Sequence, residues 1–497
     1  MSATTTSTPM SEVLHLQRSA FHRDGPPSAA LRRDRIDRFV NAVVSSSDAL
    51  VESLSDDFGH RPEVTTLVTD ILALGVEAEI ARANVGRWMR PRRPMGRVAC
   101  TALRAVGVRA EMRPSPLGVV GVMGTWNFPI NLTAIPAVSA LAAGNRVMIK
   151  MSEQIPRTAD VLANALHDAF DVEEVAVLTG DVAVSQEFAA LDLDHLFFTG
   201  SAKVGSAVMA AAAKHLTPVT LELGGKNPVV LGEDVEQDRA ALRRAAERIA
   251  AARLVNGGQV CLSPDEVYVP ESAGRTFVQE LFNAWGRTMP ELFEAGEVTT
   301  IVDETSYGRI VALLEDASAK GAQVIGSVRS DDEGEDALRE ARILSPAVVL
   351  GVTDEMDIAH EEIFGPVLAV HTYSDVEDVI DLLAEKPAPL VVTWYGRDDA
   401  AFRDFVARTR SGGVARNDFA LTNVVPGVPF GGVGRSGTGR YHGRFGFDTF
   451  SHLRGVAGSD LPISLATLVS PSADDRLLNT LRKVVSAYGG LLRRRLR

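Results

Sequence analysis

The chain has 497 residues, 45 % of them apolar and 23 % charged, with a net charge of −13. That length predicts several packed units and a core that needs neither disulfides nor a metal; no metal site is expected. The acidic balance leaves no basic surplus for binding nucleic acid, and none is expected as a partner. Two cysteines, Cys100 and Cys261, form no disulfide framework and suit a reducing compartment. The stretch Met1–Met10 is polar, without the charged start and apolar run of a signal peptide. With no apolar run of membrane-spanning length either, a cytoplasmic protein is expected.

In chain order, apolar residues recur at helical spacing from Leu31 to Leu54, and a second helical stretch runs from about Glu63 to Trp88. Pro91, Arg92, Arg93 and Pro94 then break the pattern. Short apolar runs follow at Gly118–Met123, Arg146–Lys150, Val175–Leu178, His195–Phe198 and Pro218–Leu221. They alternate with helical patterns such as Thr158–Phe170 and Lys203–His215, which predicts a parallel sheet covered on both faces. Ligands bind such sheets at the carboxyl ends of the strands. A second series has strands near Glu266–Val269, Ala347–Leu350, Val367–Tyr373 and Leu390–Tyr395. Its helices lie near Asp238–Leu254, Gly274–Trp285, Ser374–Leu383 and Asp399–Arg410. Two α/β domains are therefore expected, joined near Gly224–Val230.

Several segments carry chemistry. Asn256-Gly257-Gly258-Gln259-Val260-Cys261 follows a long helix and sets a thiol on a glycine turn. A thiolate attacks carbonyl carbon readily, but a lone cysteine is as often a buried structural residue. Glu222 ends an apolar strand and precedes Gly224 and Gly225. It reads either as a general base raised by burial or as a carboxylate satisfied by those glycine N–H groups. In Trp126-Asn127-Phe128-Pro129 the Asn127 amide can donate to an oxyanion, or the segment is simply a turn. Gly200 and Ser201 open a helix and could offer backbone N–H groups to a pyrophosphate. Lys150, with Ser152 and Glu153 after it, could hold a ribose or be loop charges. Glu361-Glu362-Ile363-Phe364-Gly365-Pro366 suggests a turn presenting a carboxylate. The many glycines of Pro429–Gly437 around Phe430 indicate tight backbone packing or a close ligand approach.

Taken together, in this order, the segments resemble the aldehyde dehydrogenase superfamily over roughly Leu31 to His452. The run Ala211 to Lys226 and the pair Tyr441-His442-Gly443-Arg444 and Phe447–His452 look like its class 3 branch. Asp57-Phe58-Gly59-His60-Arg61 and Ala142–Glu153 are most similar to the bacterial coniferyl aldehyde dehydrogenases. The resemblance implies an α/β fold with two parallel-sheet domains plus a small oligomerisation element. Residues 1–104 and 117–227 would bind NAD(P), 228–418 would be catalytic, 105–116 and 419–455 would make the oligomer contact, and 456–497 would form a tail.

The resemblance also implies roles. Cys261 is the nucleophile, Asn127 and the Cys261 N–H form the oxyanion hole, and Glu222 is the general base. Lys150, Ser152 and Glu153 lie at the adenosine ribose, Gly200, Ser201 and Gly205 at the pyrophosphate, and Glu362, Phe364 and Trp126 at the nicotinamide end. NAD is the expected cofactor, with NADP accepted, because Glu153 repels a 2′-phosphate while Lys150 offsets it. A homodimer acting on an aromatic aldehyde of the coniferyl type is expected, a long-chain aliphatic aldehyde being the alternative. A coenzyme A-acylating enzyme or an inactive NAD-binding protein is disfavoured, because Glu222, Cys261 and Asn127 are all present. Met151 replaces the family's commonest Pro and Arg435 an Asn frequent in class 3, which leaves specificity open at the latter. The segment Leu477 to Leu492, ending in Arg493, Arg494, Arg495 and Arg497, reads as a surface helix covering a subunit; a membrane-surface contact is the less favoured reading.

Overall fold

The computed structural model describes residues 9–326, 335–462, 464, 466 and 475–496. Residues 1–8 of the polar N-terminus, residues 463, 465 and 467–474 of the tail, and Arg497 lie outside the described residues. The chain divides into two compact units, Met1–Met89 with Ser115–His452, and Arg90–Pro114 with Leu453–Arg497.

The larger unit holds two sheets. The first has six strands in the order Gly437–Thr438, Val219–Leu223, His195–Gly200, Val119–Met123, Arg146–Lys150 and Val175–Leu178. All its pairs are parallel except the short Gly437–Thr438 edge, which runs antiparallel to Val219–Leu223. The second has seven strands, ordered Gly413–Arg416, Val391–Tyr395, Pro228–Leu231, Glu266–Pro270, Val367–Tyr373, Ala347–Leu350 and Gln323–Gly326. Only the last pair is antiparallel. The central strands are buried on both faces, which explains their near-continuous apolar sequences.

Each predicted strand forms, within a residue or two. The helical stretch from Leu31 to Leu54 is two helices, Ala29–Ser45 and Ser47–Phe58, parted at Ser46. Three consecutive serines there let side-chain hydroxyls compete with the helical ladder. Helix Met10–Asp24 was not anticipated. It buries Met10, Val13 and Leu14 against the first sheet, and the Gln17 amide donates to the carbonyls of Val147 (3.1 Å) and Val172 (2.9 Å).

Strand Val108–Pro116, which falls in the smaller unit up to Pro114, pairs with Ser451–Ser459, which falls in it from Leu453. Helix Asp475–Arg495 continues through Gly489 and Gly490 and exposes Leu481, Val484, Val485 and Tyr488. Among the described residues no helix is long and apolar enough to cross a membrane. The unit boundaries differ from the expected small element of 105–116 and 419–455. Residues 419–452 belong to the larger unit, because Gly437–Thr438 extends its first sheet and Phe447 packs on Trp88 at 5.6 Å. Residues Arg90–Arg104, expected with 1–104, and the described part of 456–497 fall in the smaller one.

One buried ion pair shapes the approach to the site. In the segment Leu67–Leu72 the helix widens to i→i+5 bonding, and Asp70 turns inward there. Its Oδ1 accepts from the N–H groups of Ile130 and Asn131, both at 3.1 Å, at the start of helix Asn131–Ala143. Its Oδ2 accepts from Arg61 at 2.9 Å, and neither side chain is exposed. Asp70→Ala would leave the Arg61 cation buried and unpaired, so we expect a loss of about 3–5 kcal/mol in urea unfolding. A loss under about 1 kcal/mol would show that Asp70 is not what fixes this turn.

Candidate active site

The turn that carries Cys261 is built from left-handed backbone. Asn256, Gly257 and Gly258 have φ of 51°, 63° and 76°. Glycine tolerates this freely, and asparagine is the side chain that best follows. At Gly258 there is no alternative, since a Cβ would lie 2.3 Å from the Gly365 carbonyl. The Asn256 amide donates to the carbonyls of Asn127 (3.1 Å) and Gln259 (3.4 Å). Buried Gln259 donates to the carbonyls of Asn256 (2.9 Å) and Thr300 (3.0 Å) and accepts from the Val302 N–H (3.0 Å). The thiol turn and the Trp126–Pro129 segment are thus joined by amide hydrogen bonds in a buried setting, where each is costly to break.

Asn127 is buried. Its Nδ2 donates to the Gln259 carbonyl at 3.1 Å, and its Oδ1 faces the Thr125 hydroxyl at 3.4 Å. An amide nitrogen has two hydrogens, so the second remains for an oxyanion. Cys261 is half-buried and unpaired with Cys100. Burial, then the Glu362 and Glu222 charges, push its thiol up to about 12. The backbone N–H groups of Cys261 and Leu262 act in the opposite direction, as donors to negative charge at this point should.

Glu222 lies on strand Val219–Leu223, where Leu221 and Leu223 pack in one core layer. Strand alternation turns Glu222 to the opposite face, the side of Phe197 and the cluster that Cys261 packs against. It is 3 % exposed, and neither carboxylate oxygen has a hydrogen-bond partner. Burial alone raises its pKa well above the carboxylate range. Of the two readings of its glycine neighbours, satisfaction by their N–H groups fails for Glu222. The Gly225 N–H instead favours the charged form of Glu362. Glu362 overlies the turn so closely that a Cβ on Gly224 would be 2.0 Å from its Oε2. Burial and then Asp265 raise Glu362 to about 8, and its Oε1 has no partner.

Trp126 stands edge-on to Phe364 at 5.4 Å and beside Phe58 at 6.0 Å. Phe364, with φ of 53°, is held by Arg309 donating to the carbonyls of Glu362 and Ile363 at 2.9 and 2.6 Å. These aromatics and the free Glu362 oxygen make one end that suits a nicotinamide riboside. At the carboxyl end of strand Arg146–Lys150, the buried Lys150 Nζ donates to the carbonyls of Met151 (2.6 Å) and Gly180 (3.0 Å) and lies 3.9 Å from Glu153. An ammonium has three hydrogens, so one is left for a ligand hydroxyl. Exposed Glu153 is also within 3.3 Å of the Ser185 hydroxyl, and the Ser152 hydroxyl is used locally by the Gln154 N–H. Ser201 caps helix Ala202–Ala212 beside Gly200. Gly205 faces Leu223, where a Cβ would come within 2.8 Å, so its smallness serves helix–sheet packing. Phe128 is buried over Arg61, at 5.3 Å, and Arg435 is exposed.

Sequence reasoning missed Asn227 and Asp265. The Asn227 amide donates to the carbonyls of Cys261 (2.7 Å) and Ser263 (3.2 Å). Asn227 stood in the Gly-Gly-Lys-Asn-Pro segment, but nothing local distinguishes it from a turn residue. Two polar residues quoted only as marks of resemblance, Tyr441 and His442, are buried. With its thiol pushed up to about 12, cofactor-free Cys261 should be alkylated by iodoacetamide about tenfold faster per pH unit from 7 to 10. Peptide mapping of the alkylated residue measures this, and a rate that levels off below pH 9 contradicts it.

Residues 26–456 match the model of the aldehyde dehydrogenase family. A probable coniferyl aldehyde dehydrogenase of Caulobacter vibrioides is 40 % identical, over 90 % of each chain. Mouse aldehyde dehydrogenase family 3 member B3 is 33 % identical, over 90 % of this chain and 88 % of its own. Among solved structures, the substrate-bound state of Staphylococcus aureus AldH superposes with a TM-score of 0.81 at 29 % identity, covering 92 % of this chain and 95 % of that one. The α/β fold and the family expected from the motifs are both borne out. The chain belongs to the aldehyde dehydrogenase family and is an enzyme that oxidises aldehydes with a nicotinamide cofactor.

Proposed function

We propose that the protein is an NAD-preferring, NADP-tolerant dehydrogenase for aromatic aldehydes of the coniferyl type, in which water takes the acyl group. One observation carries the hydrolytic reading: Glu222, buried with both oxygens unpartnered, faces the layer that holds Cys261. A carboxyl left without partners in a core is expensive unless its task is to exchange a proton. The aromatic preference rests on the coniferyl-named relative and on apolar Phe128 and Phe419 beside the site.

The reaction follows from the groups in place. Cys261 gives its proton to solvent water and its sulfur bonds to the aldehyde carbon, whose oxygen takes the charge. The free Asn127 hydrogen and the Cys261 N–H stabilise that oxyanion. When bound, the nicotinamide supplies the two-electron acceptor for the hydride leaving that carbon. Glu222 then takes a proton from water, which attacks the thioester carbon; the acid leaves and the thiolate is restored. Lys150, Ser152 and Glu153 would hold the adenosine ribose, Gly200 and Ser201 the pyrophosphate, and Glu362, Phe364 and Trp126 the nicotinamide end. The exposed Glu153 carboxylate disfavours a 2′-phosphate, and Lys150 beside it moderates the effect.

In this reading residues 117–227 form the bulk of the cofactor domain and 228–418 the catalytic domain. The paired strands Val108–Pro116 and Ser451–Ser459 would contribute to a homodimer contact. The setting is the cytoplasm, where both free thiols stay reduced.

Cys261→Ala should abolish turnover while cofactor binding, followed by fluorescence, persists. Glu222→Gln should keep the first burst of reduced cofactor and lower steady-state turnover by about 10²-fold or more. Unchanged steady-state turnover in Glu222→Gln would remove Glu222 as the base. For the substrate, kcat/KM should be highest for coniferyl aldehyde, then benzaldehyde, and lowest for a long-chain alkanal; the reverse order selects the aliphatic alternative.

A further inference from the structure

Two backbone N–H groups act on the Cys261 sulfur, its own and that of Leu262. Both favour the charged sulfur, against burial and the charges of Glu362 and Glu222. Neither N–H is taken by a backbone carbonyl among the described residues. The Cys261 N–H belongs to the oxyanion hole. The Leu262 N–H has no part in that hole, and its direction depends on the peptide that carries it.

The Cys261–Leu262 peptide is trans, so its carbonyl and its N–H point in opposite directions. Whatever holds the Cys261 carbonyl therefore aims the Leu262 N–H. Asn227 holds it: the Nδ2 donates to that carbonyl at 2.7 Å, and among the described residues no other donor reaches it. Such a bond also polarises the peptide, which makes the N–H at its far end a stronger donor.

Asn227 is itself fixed. It is buried, its second amide hydrogen goes to the Ser263 carbonyl at 3.2 Å, and its Oδ1 accepts from the Val391 N–H at 3.0 Å. Its own backbone carbonyl accepts from the Asp265 N–H at 3.0 Å. Both amide hydrogens and the amide oxygen are thus engaged, and turning the side chain would break three bonds at once. The turn before Cys261 does not need this support. The Asn127 and Asn256 amides already hold the Gln259 carbonyl, and the Ser263 N–H holds that of Val260 at 3.0 Å. What Asn227 adds is the peptide after the sulfur.

We propose that Asn227 is a positioning residue that, through the Cys261 carbonyl, turns the Leu262 N–H onto the sulfur, so that one backbone donor serves the aldehyde oxygen and the next serves the thiolate. It rests on the reading of Cys261 as the nucleophile. The Leu262 N–H supports the sulfur when the thiol gives its proton to water and attacks. It supports it again when water has added to the thioester, the C–S bond breaks and its electron pair returns to sulfur.

The test is the rate of Cys261 alkylation by iodoacetamide in cofactor-free Asn227→Ala and Asn227→Ser, read by peptide mapping from pH 7 to 10. Asn227→Ser is the gentler change, because its hydroxyl stops one bond short of the amide nitrogen. Losing a donor to a charged sulfur should lower the thiolate fraction about tenfold, and the remaining thiolate is about threefold more nucleophilic. Alkylation should therefore slow about threefold at each pH, with its slope per pH unit unchanged. The burst of reduced cofactor should slow by about the same factor, while cofactor binding, followed by fluorescence, persists. A purely structural role has the opposite sign, since a loosened turn exposes the thiol and speeds alkylation. Faster or unchanged alkylation in a variant that binds cofactor overturns the proposal. If neither variant binds cofactor, Asn227 is a folding residue and the proposal falls as well. Cys261→Ala run alongside separates the two readings. Turnover surviving in it removes Cys261 as the nucleophile, whereas its loss together with unslowed alkylation in the Asn227 variants leaves the nucleophile standing and removes only the role of Asn227.

Discussion

Asp265 is the carboxylate on which the arrangement of the site depends. It is 1 % exposed, and three segments converge on it. Lys226 reaches it from the turn after the Glu222 strand. Arg253 reaches it at 3.2 Å from the helix before Cys261, and the Ile363 N–H donates to it at 3.1 Å from the loop of Glu362. An unpaired buried anion costs several kcal/mol, and two cations with a backbone donor offset that. Arg253 is itself tied to the Val367 carbonyl at 2.7 Å, so the pair is anchored to the second sheet. The sulfur, the base and the second carboxyl therefore take their places around a group that does no chemistry.

The contrast between Asp265 and Glu222 separates structure from function here. Both are buried carboxyls near the same turns. Asp265 has its oxygens filled and holds the frame, while Glu222 has none filled and is raised well above its ordinary range. Glu362 is intermediate, with one oxygen free and a backbone donor favouring its charge. Burial without partners fits Glu222 to exchange a proton, whereas the contacts of Asp265 tie three segments together.

Much of this was legible in the sequence, because parallel strands buried on both faces leave unbroken apolar runs and glycine turns leave dense glycine. The short strands Pro228–Leu231 and Gly413–Arg416 were not anticipated, being four residues each and pressed against turns. Helix Met10–Asp24 hid behind a polar exterior, since it buries one narrow stripe and a glutamine. The sequence offered the Gly224–Gly225 turn only to its neighbour Glu222, whereas it serves Glu362. Glu362 is more than a hundred residues away, and only the fold brings it over that turn. Tyr441 and His442 could be quoted but not interpreted, because what marks them is a missing partner, and a missing partner has no sequence signature.

Steric exclusion completes the electrostatic account. Two carboxyls act on one sulfur only because the backbone around them lacks side chains. A Cβ on Gly224 would occupy the Glu362 oxygen, and one on Gly258 would occupy the Gly365 carbonyl. Packing at that distance keeps the carboxyls dry, and dryness raises them and the thiol together. Burial thus raises Glu222, Glu362 and the Cys261 thiol together, which sets the groups of the site apart from carboxylates that only hold the frame.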